Sequence, residues 1–168
     1  YALDVVPSVS GLLLKEAFVT DIGLGSGSSP ALSPAEDSVY VSDEEGWFYG
    51  IDAITGAINW KVKTRAAAGA AAVGRDGIIY ALQAHAPAVV AIDPLGSVLW
   101  ESDFSNLLPE DLPSSFLFGN PVEGGNGNPT VTSNAVLVPV VYGYDIPIVG
   151  VTAPVQEARM WAGESIIF

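Results

Sequence analysis

The 168-residue chain contains no cysteine, one histidine, one methionine, and only 6 Lys and Arg against 19 Asp and Glu. Without Cys there is no disulfide framework, no thiolate zinc site and no cysteine nucleophile within the chain. The shortage of cations gives a formal charge of −13, and no Lys or Arg lies between Arg75 and Arg159. A phosphate backbone needs a basic face to displace its counterions, so nucleic-acid binding is excluded as a function class. What such a balance supports is a solvated acidic surface, or a basic partner or cation on that face. The single His85 sits in the segment Gln83-Ala84-His85-Ala86-Pro87 with no Ser, Cys or second His beside it, which reads as a turn rather than a general base.

Long uninterrupted apolar runs are also missing. The most apolar stretch, Ala135 to Val151, holds Pro139, Gly143, Asp145 and Pro147, falls short of a spanning helix and reads as two strands. No membrane-spanning segment is therefore expected. The chain opens at Tyr1 without Met or a basic, apolar leader, so any targeting segment is expected to have been removed or never included.

What the chain does have is 49% hydrophobic residues with 18 Gly and 12 Pro. That composition suits many short strands joined by tight turns, with few long helices. A ten-residue phrase, Ile51-Asp52-Ala53-Ile54-Thr55-Gly56-Ala57-Ile58-Asn59-Trp60, recurs one residue shorter as Ile92-Asp93-Pro94-Leu95-Gly96-Ser97-Val98-Leu99-Trp100. In each copy Asp and Gly bracket a turn between two apolar strands, and a Trp follows four residues after the Gly. Asp52 and Asp93 stand 41 residues apart, the length of one supersecondary repeat.

Extending each phrase outward recovers four strands per unit. The better copy reads Ser29–Ser33, Ser38–Ser42, Trp47–Ile51 and Ala57–Val62, with Asp43-Glu44-Glu45-Gly46 as a solvated hairpin turn between the second and third. The next reads Ala70–Gly74, Gly77–Leu82, Ala88–Ile92 and Ser97–Trp100. A degraded third copy reads Asn128–Thr132, Ala135–Pro139, Pro147–Val151 and Glu157–Trp161; there Thr152 replaces the Asp and Gln156-Glu157 replace Thr-Gly, while Trp161 keeps its spacing. At the N-terminus Tyr1–Asp4 matches the end of a third strand and Ser10–Lys15 a turn and fourth strand. Gly163–Phe168 reads as the opening of a further unit.

Four antiparallel strands per unit, period-2 alternation and a Trp at one repeating position predict an all-β fold of β-propeller blades. About three complete blades and two partial ones are expected over residues 1–168. A four-stranded sheet buries its two faces only against neighbouring blades, and a Trp at a repeating position serves as a wedge between them. On this reading Asp52 and Asp93 accept turn N–H bonds, Gly56 and Gly96 supply positive φ, and Trp60, Trp100 and Trp161 are interblade wedges. All seven are structural.

The run Val39-Tyr40-Val41 through Phe48-Tyr49-Gly50-Ile51-Asp52 to Gly56-Ala57-Ile58-Asn59-Trp60-Lys61 resembles the tryptophan-docking repeat of the pyrroloquinoline-quinone (PQQ)-like propellers. The likeness is strong from about Ser28 to Trp100 and weaker elsewhere. That family includes quinoprotein alcohol dehydrogenases, a propeller lipoprotein of the outer-membrane β-barrel assembly machine, and propeller sensor domains. The resemblance implies an extracytoplasmic protein, periplasmic or otherwise exported. It also implies seven or eight blades, so at about 40 residues each a closed ring needs roughly 300 residues. The chain is therefore expected to be a segment of a longer propeller, or to be completed by other chains. In the dehydrogenases the resemblance implies PQQ in the central channel, Ca²⁺ on oxygen ligands, a catalytic Asp and often a ring of adjacent Cys residues. With no Cys, that last element has no counterpart.

Asp43-Glu44-Glu45 lacks the alternating acidic spacing of a calcium loop, and no metal or other cofactor is expected. The longest departure from the repeat is Ser102–Gly127, an inserted loop between blades. It carries Phe104, Leu107, Leu108, Leu112, Phe116, Leu117 and Phe118 among acids, with a short helical turn expected at Pro109–Leu112 and Gly124-Gly125-Asn126-Gly127 as a flexible return. This loop either folds over the propeller's own face or docks a protein partner. The function expected is that of a non-catalytic scaffold or protein-binding module in a larger extracytoplasmic assembly, its partner a protein or the remaining blades. The alternatives are a portion of a PQQ-dependent quinoprotein alcohol dehydrogenase, with PQQ and Ca²⁺, or a ligand-sensing ectodomain.

Overall fold

The computed structural model describes residues 1–26, 28–64, 71–83, 88–103, 121–125, 128–148 and 151–164; for Gln83, 121–125, 139–148 and 151–164 the description is of the backbone. Every regular element among them is a strand. Strands β3 (Ala31–Leu32), β4 (Ser38–Ser42), β5 (Trp47–Asp52) and β6 (Ile58–Lys63) form a four-stranded antiparallel sheet in sequence order. Strands β7 (Ala71–Val73), β8 (Ile79–Gln83), β9 (Ala88–Ile92) and β10 (Val98–Asp103) repeat that arrangement. These are two complete blades, all-β meanders of the kind the repeat predicts. Short inner strand β3 adjoins β7, as it must if the blades radiate from one axis.

Two-sided burial explains the apolar content of the second blade. Every residue of β9 is buried, so alternation sorts its side chains between two neighbours rather than between core and water. Ile79, Ala81, Val90 and Ile92 face the first blade and join Tyr40 and Phe48. Tyr80, Leu82, Val89 and Ala91 face the other way and join Val136 and Val138. A shift of one register position in β8 or β9 would exchange the two sets.

At the N-terminus β1 (Ala2–Ser8) and β2 (Gly11–Phe18) form a hairpin. It corresponds to strands three and four of a partial blade, as read from the sequence. A third sheet contains β11 (Pro121–Gly125), β12 (Thr130–Val131), β13 (Ala135–Ile148) and β14 (Val151–Glu164). It has four antiparallel strands, but β11 and β12 both pair with β13, on which β14 also pairs.

Here the structure departs from the sequence reading. The separate strands expected at Ala135–Pro139, Pro147–Val151 and Glu157–Trp161 are merged into two 14-residue strands, in unbroken register from Ala135↔Glu164 to Ile148↔Val151. The physical reason is the missing punctuation: Thr152 and Glu157 stand where Asp and Gly stop the strands in the complete blades. The prolines are tolerated by position, because Pro139 falls between the β12 and β11 pairings and Pro147 lies beyond both. Gly124 and Gly125 belong to β11, paired with Val141 and Val140, rather than to a flexible return. The expected helical turn at Pro109–Leu112, His85, Asn126 and Gly127 lie outside the described residues.

The acidic hairpin turn is a second departure. Asp43 is fully buried, while Glu44 and Glu45 are exposed. Its Oδ1 accepts the Trp47 N–H at 2.8 Å and its Oδ2 the Tyr49 hydroxyl at 2.7 Å. The segment from Gly23 to Ser26 folds over this turn, with Gly23 N–H donating to the Tyr49 hydroxyl at 3.2 Å and Ser26 Oγ to the Ser42 carbonyl at 2.8 Å. Burial, and then the bond to Asp43, push the Tyr49 phenol above its ordinary value. Sequence reading placed Asp43 in solvent because the covering segment lies about 20 residues earlier in the chain, in the connection between β2 and β3.

Candidate functional site

Each blade carries a row of three residues across adjacent strands. In the first, Tyr40 of β4 faces Gly50 of β5, which faces Trp60 of β6. In the second, the row is Tyr80, Ala91, Trp100. A small central residue lets the flanking rings lean together: Tyr40 and Trp60 have centroids 5.8 Å apart, and Tyr80 and Trp100 6.0 Å. A Cβ on Gly50 would collide with the Trp60 indole. The register slips by a bulge beside every one of these pairs, at Gly50/Ile51, between Val98 and Trp100, and at Ala2/Leu3.

That third bulge identifies a member the sequence reading missed. Ala2 pairs with Phe18 as Gly50 pairs with Trp60, so Phe18 occupies the docking position of the partial blade. The signal in the sequence was Ala2-Leu3-Asp4, matching Gly50-Ile51-Asp52. It was obscured because the docking aromatic is Phe and because the intervening hairpin is longer.

The docking contacts run from each blade to the turn of the next. The Trp60 indole N–H donates to the Pro94 carbonyl at 2.9 Å, and a Cβ on Gly96 would lie 2.6 Å from Trp60 Cδ2. Trp60 therefore seats on the second copy of the repeated phrase. Phe18 seats on Gly56 in the same way, and the Thr20 hydroxyl donates to the Gly56 carbonyl at 2.7 Å. Gly56 and Gly96 have φ of 75° and 89°, so a side chain at either would meet both strained backbone and the incoming ring.

The aspartates hold those seats in shape. Asp52 Oδ1 accepts the N–H of Thr55 at 2.7 Å and of Ile54 at 3.0 Å, and the Thr55 hydroxyl at 2.8 Å. Those bonds, that from the Thr55 N–H first, keep the Asp52 carboxyl below the ordinary carboxylate range. Asp93 Oδ1 accepts the N–H of Leu95 at 2.9 Å and of Ser97 at 2.7 Å. Trp100 belongs to the cluster formed with Val136 and Val138. Trp161 lies on β14 opposite Val138. Phe104, Leu107, Leu108, Leu112, Phe116 and Phe118, proposed from sequence as a docking loop, lie outside the described residues. The remaining tryptophan, Trp47, carries the ammonium groups of Lys61 and Lys63 at 4.7 and 5.0 Å from its ring centroid.

No group of three or more His, Asp or Glu converges among the described residues. Nor is any helix among them long and apolar enough to cross a membrane.

Meander blades sealed by an aromatic from one unit seated on the Asp–Gly turn of the next define a β-propeller of the tryptophan-docking, PQQ-like class. The family model described as "Outer membrane protein assembly factor BamB" matches residues 14–112, more than half of the chain, and the chain belongs to that family. No curated protein matches it significantly. Among solved structures, a quinohemoprotein alcohol dehydrogenase from Comamonas testosteroni is similar with a TM-score of 0.52 and 16% identity, over 85% of this chain and 21% of its own. BamB from Moraxella catarrhalis matches with a TM-score of 0.48 and 16% identity, over 79% of this chain and 36% of its own. The chain thus spans well under half the length of either.

Proposed function

We propose that this chain forms part of a non-catalytic propeller that acts as a scaffold or protein-binding module in an assembly outside the cytoplasm. The outer-membrane wording of the family description supports the compartment. The observation that carries the binding role is the N-terminal hairpin. Asp4 holds the register position of Asp52 and Asp93, where the complete blades turn. Here the strands continue instead, pairing Asp4↔Lys15, Val5↔Leu14, Val6↔Leu13, Pro7↔Leu12 and Ser8↔Gly11.

This extension carries no charge between Asp4 and Lys15, and Val5, Leu12, Leu13 and Leu14 are exposed, Leu12 at 74%. Exposed apolar side chains grouped this closely mark interaction surfaces. Among the described residues each strand of the hairpin pairs only with the other, so both edges retain free backbone donors and acceptors that a partner strand can engage. The inserted loop, with Phe104, Leu107, Leu108, Leu112, Phe116 and Phe118, is proposed as a second docking element.

The test is site-specific photocrosslinking from Leu13 in the intact protein in its own cells. One discrete protein adduct is expected, and it should vanish when Leu12 and Leu14 are replaced by Ser while the fold, followed by circular dichroism, persists. Adduct formation that is diffuse or unchanged in that variant would count against the reading. Stoichiometric quinone absorbance in the purified protein, with dye-linked alcohol oxidation, would replace it with the dehydrogenase alternative.

A further inference from the structure

At the seam between the second blade and the third sheet there is a cavity of about 480 Å³, bounded by β7, the β7–β8 turn and the β12–β13 turn. Its walls include Val73 and Val131, and Tyr80 lines it from the buried side at 4% exposure. Arg75, Asp76 and Ser133 line it and are exposed, which places them at its mouth. A space of this size falls within the range of small-ligand sites.

Two features are unexplained by folding. The first is the Tyr80 hydroxyl. Its repeat counterpart, Tyr40, has the Ser38 side chain as a polar neighbour acting on its phenol; at Tyr80 the corresponding residue is Ile78, which has no hydroxyl. Among the described residues the Tyr80 hydroxyl has no hydrogen-bond partner, although leaving a buried polar group unsatisfied costs about 1–3 kcal/mol. Burial, and then the nearby Asp76 carboxylate, raise the Tyr80 phenol above its ordinary value, so it is a neutral donor at physiological pH. The second is the pair Arg75 and Asp76. These adjacent, opposite charges make no ion pair among the described residues, and Asp76 Oδ1 only accepts the Ile78 N–H at 3.2 Å.

We propose that this cavity binds a small free α-amino acid whose side chain ends in a hydrogen-bond acceptor. Arg75 takes the α-carboxylate, Asp76 the α-ammonium group, Val73 and Val131 contact the side-chain methylenes, and the Tyr80 hydroxyl donates to the tip. A zwitterion also suits the surroundings, since a protein of charge −13 repels a free anion at long range but not a neutral molecule. This binding is separate from protein docking through the N-terminal hairpin.

L-glutamine, with an acceptor at its tip, and L-norleucine, without one, are the probes, titrated into the intact protein by calorimetry or NMR. L-glutamine is expected to bind with a Kd of about 1 mM or tighter. Tyr80→Phe should weaken L-glutamine about tenfold, the worth of one hydrogen bond to a buried donor, and leave L-norleucine unchanged. Arg75→Ala should weaken both, and Tyr40→Phe neither. No saturable L-glutamine binding up to about 10 mM, well above the expected Kd, or equal affinity for wild type and Tyr80→Phe, would overturn the proposal. A ligand-free readout guards the premise: Tyr80→Phe should not lower the urea midpoint, whereas Tyr40→Phe should. An equal loss at both positions would show that the Tyr80 hydroxyl already has a protein partner and would equally overturn it.

Discussion

The two seams on either side of the second blade use the same repeat to different ends. At the first, Trp60 lies at 27° to Tyr40 over the bare backbone of Gly50, seats on Gly96 and donates to Pro94. At the second, Ala91 puts a methyl group under the row, and Trp100 is tilted at 49° to Tyr80. Among the described residues of the third sheet no Asp–Gly turn is offered to Trp100, and Thr152 and Glu157 are embedded in β14. At the first seam Ser38 stands beside the Tyr40 phenol; at the second the Tyr80 hydroxyl has no hydrogen-bond partner among the described residues, and there the cavity opens. Where the docking repeat is followed closely the seam is sealed; where its residues depart, a cavity is left.

The contrast can be broken most forcefully at the indoles. Trp60→Ala is expected to destabilise the intact protein by about 4 kcal/mol in urea unfolding, and Trp100→Ala by less, because among the described residues Trp60 alone of the two combines ring packing with a bond to the neighbouring turn. A loss at Trp100 equal to or greater than that at Trp60 would contradict the ranking. Next comes the seat. Gly96→Ala, combining positive φ with a collision against the Trp60 ring, should cost about 3 kcal/mol and shift Trp fluorescence as the indole is displaced. Unaltered fluorescence would mean that Trp60 does not rest there.

Exchanging the central residues of the two rows is a finer test. Gly50→Ala should cost about 2 kcal/mol by overpacking beneath Trp60. Ala91→Gly should cost only about 1 kcal/mol, through backbone freedom and one lost methyl. Near-equal effects would mean that ring tilt has another origin.

The smallest effect expected is at Asp52, and it depends on pH. Because its folded carboxyl is held below its unfolded value, the stability it contributes is present above the ordinary carboxylate range and is lost as pH falls through the depressed value. The difference in urea midpoint between wild type and Asp52→Ala should therefore be full at pH 7 and smaller near about pH 2.5, where protonation weakens the turn. A difference that widened on acidification would reverse the assigned sign.

Most of the blade was legible in the chain because its signals are local. Asp52 needs only the next three residues to form its turn, Gly56 and Gly96 need only their own backbone, and Tyr40-Val41 or Tyr80-Ala81 announce a strand by alternation. Phe18 was illegible as a docking residue, since its role rests on a register with Ala2 and a seat on Gly56, far apart in the chain. Asp43 reads as a surface acid until the segment from Gly23 to Ser26 covers it. The third sheet misled for the opposite reason: its residues resemble the repeat, but without Asp and Gly to stop them the strands ran on.

By itself, then, the sequence determined the unit: strand, turn, strand, with an aromatic at a set distance, because propensity and turn chemistry act over a few residues. Only the tertiary structure decided which blade each aromatic seals, which face of β8 and β9 meets which neighbour, and that Tyr80 lines a cavity with its hydroxyl unpartnered among the described residues. Those outcomes depend on surfaces meeting across tens of residues, where the energy lies in ring burial and in hydrogen bonds between blades.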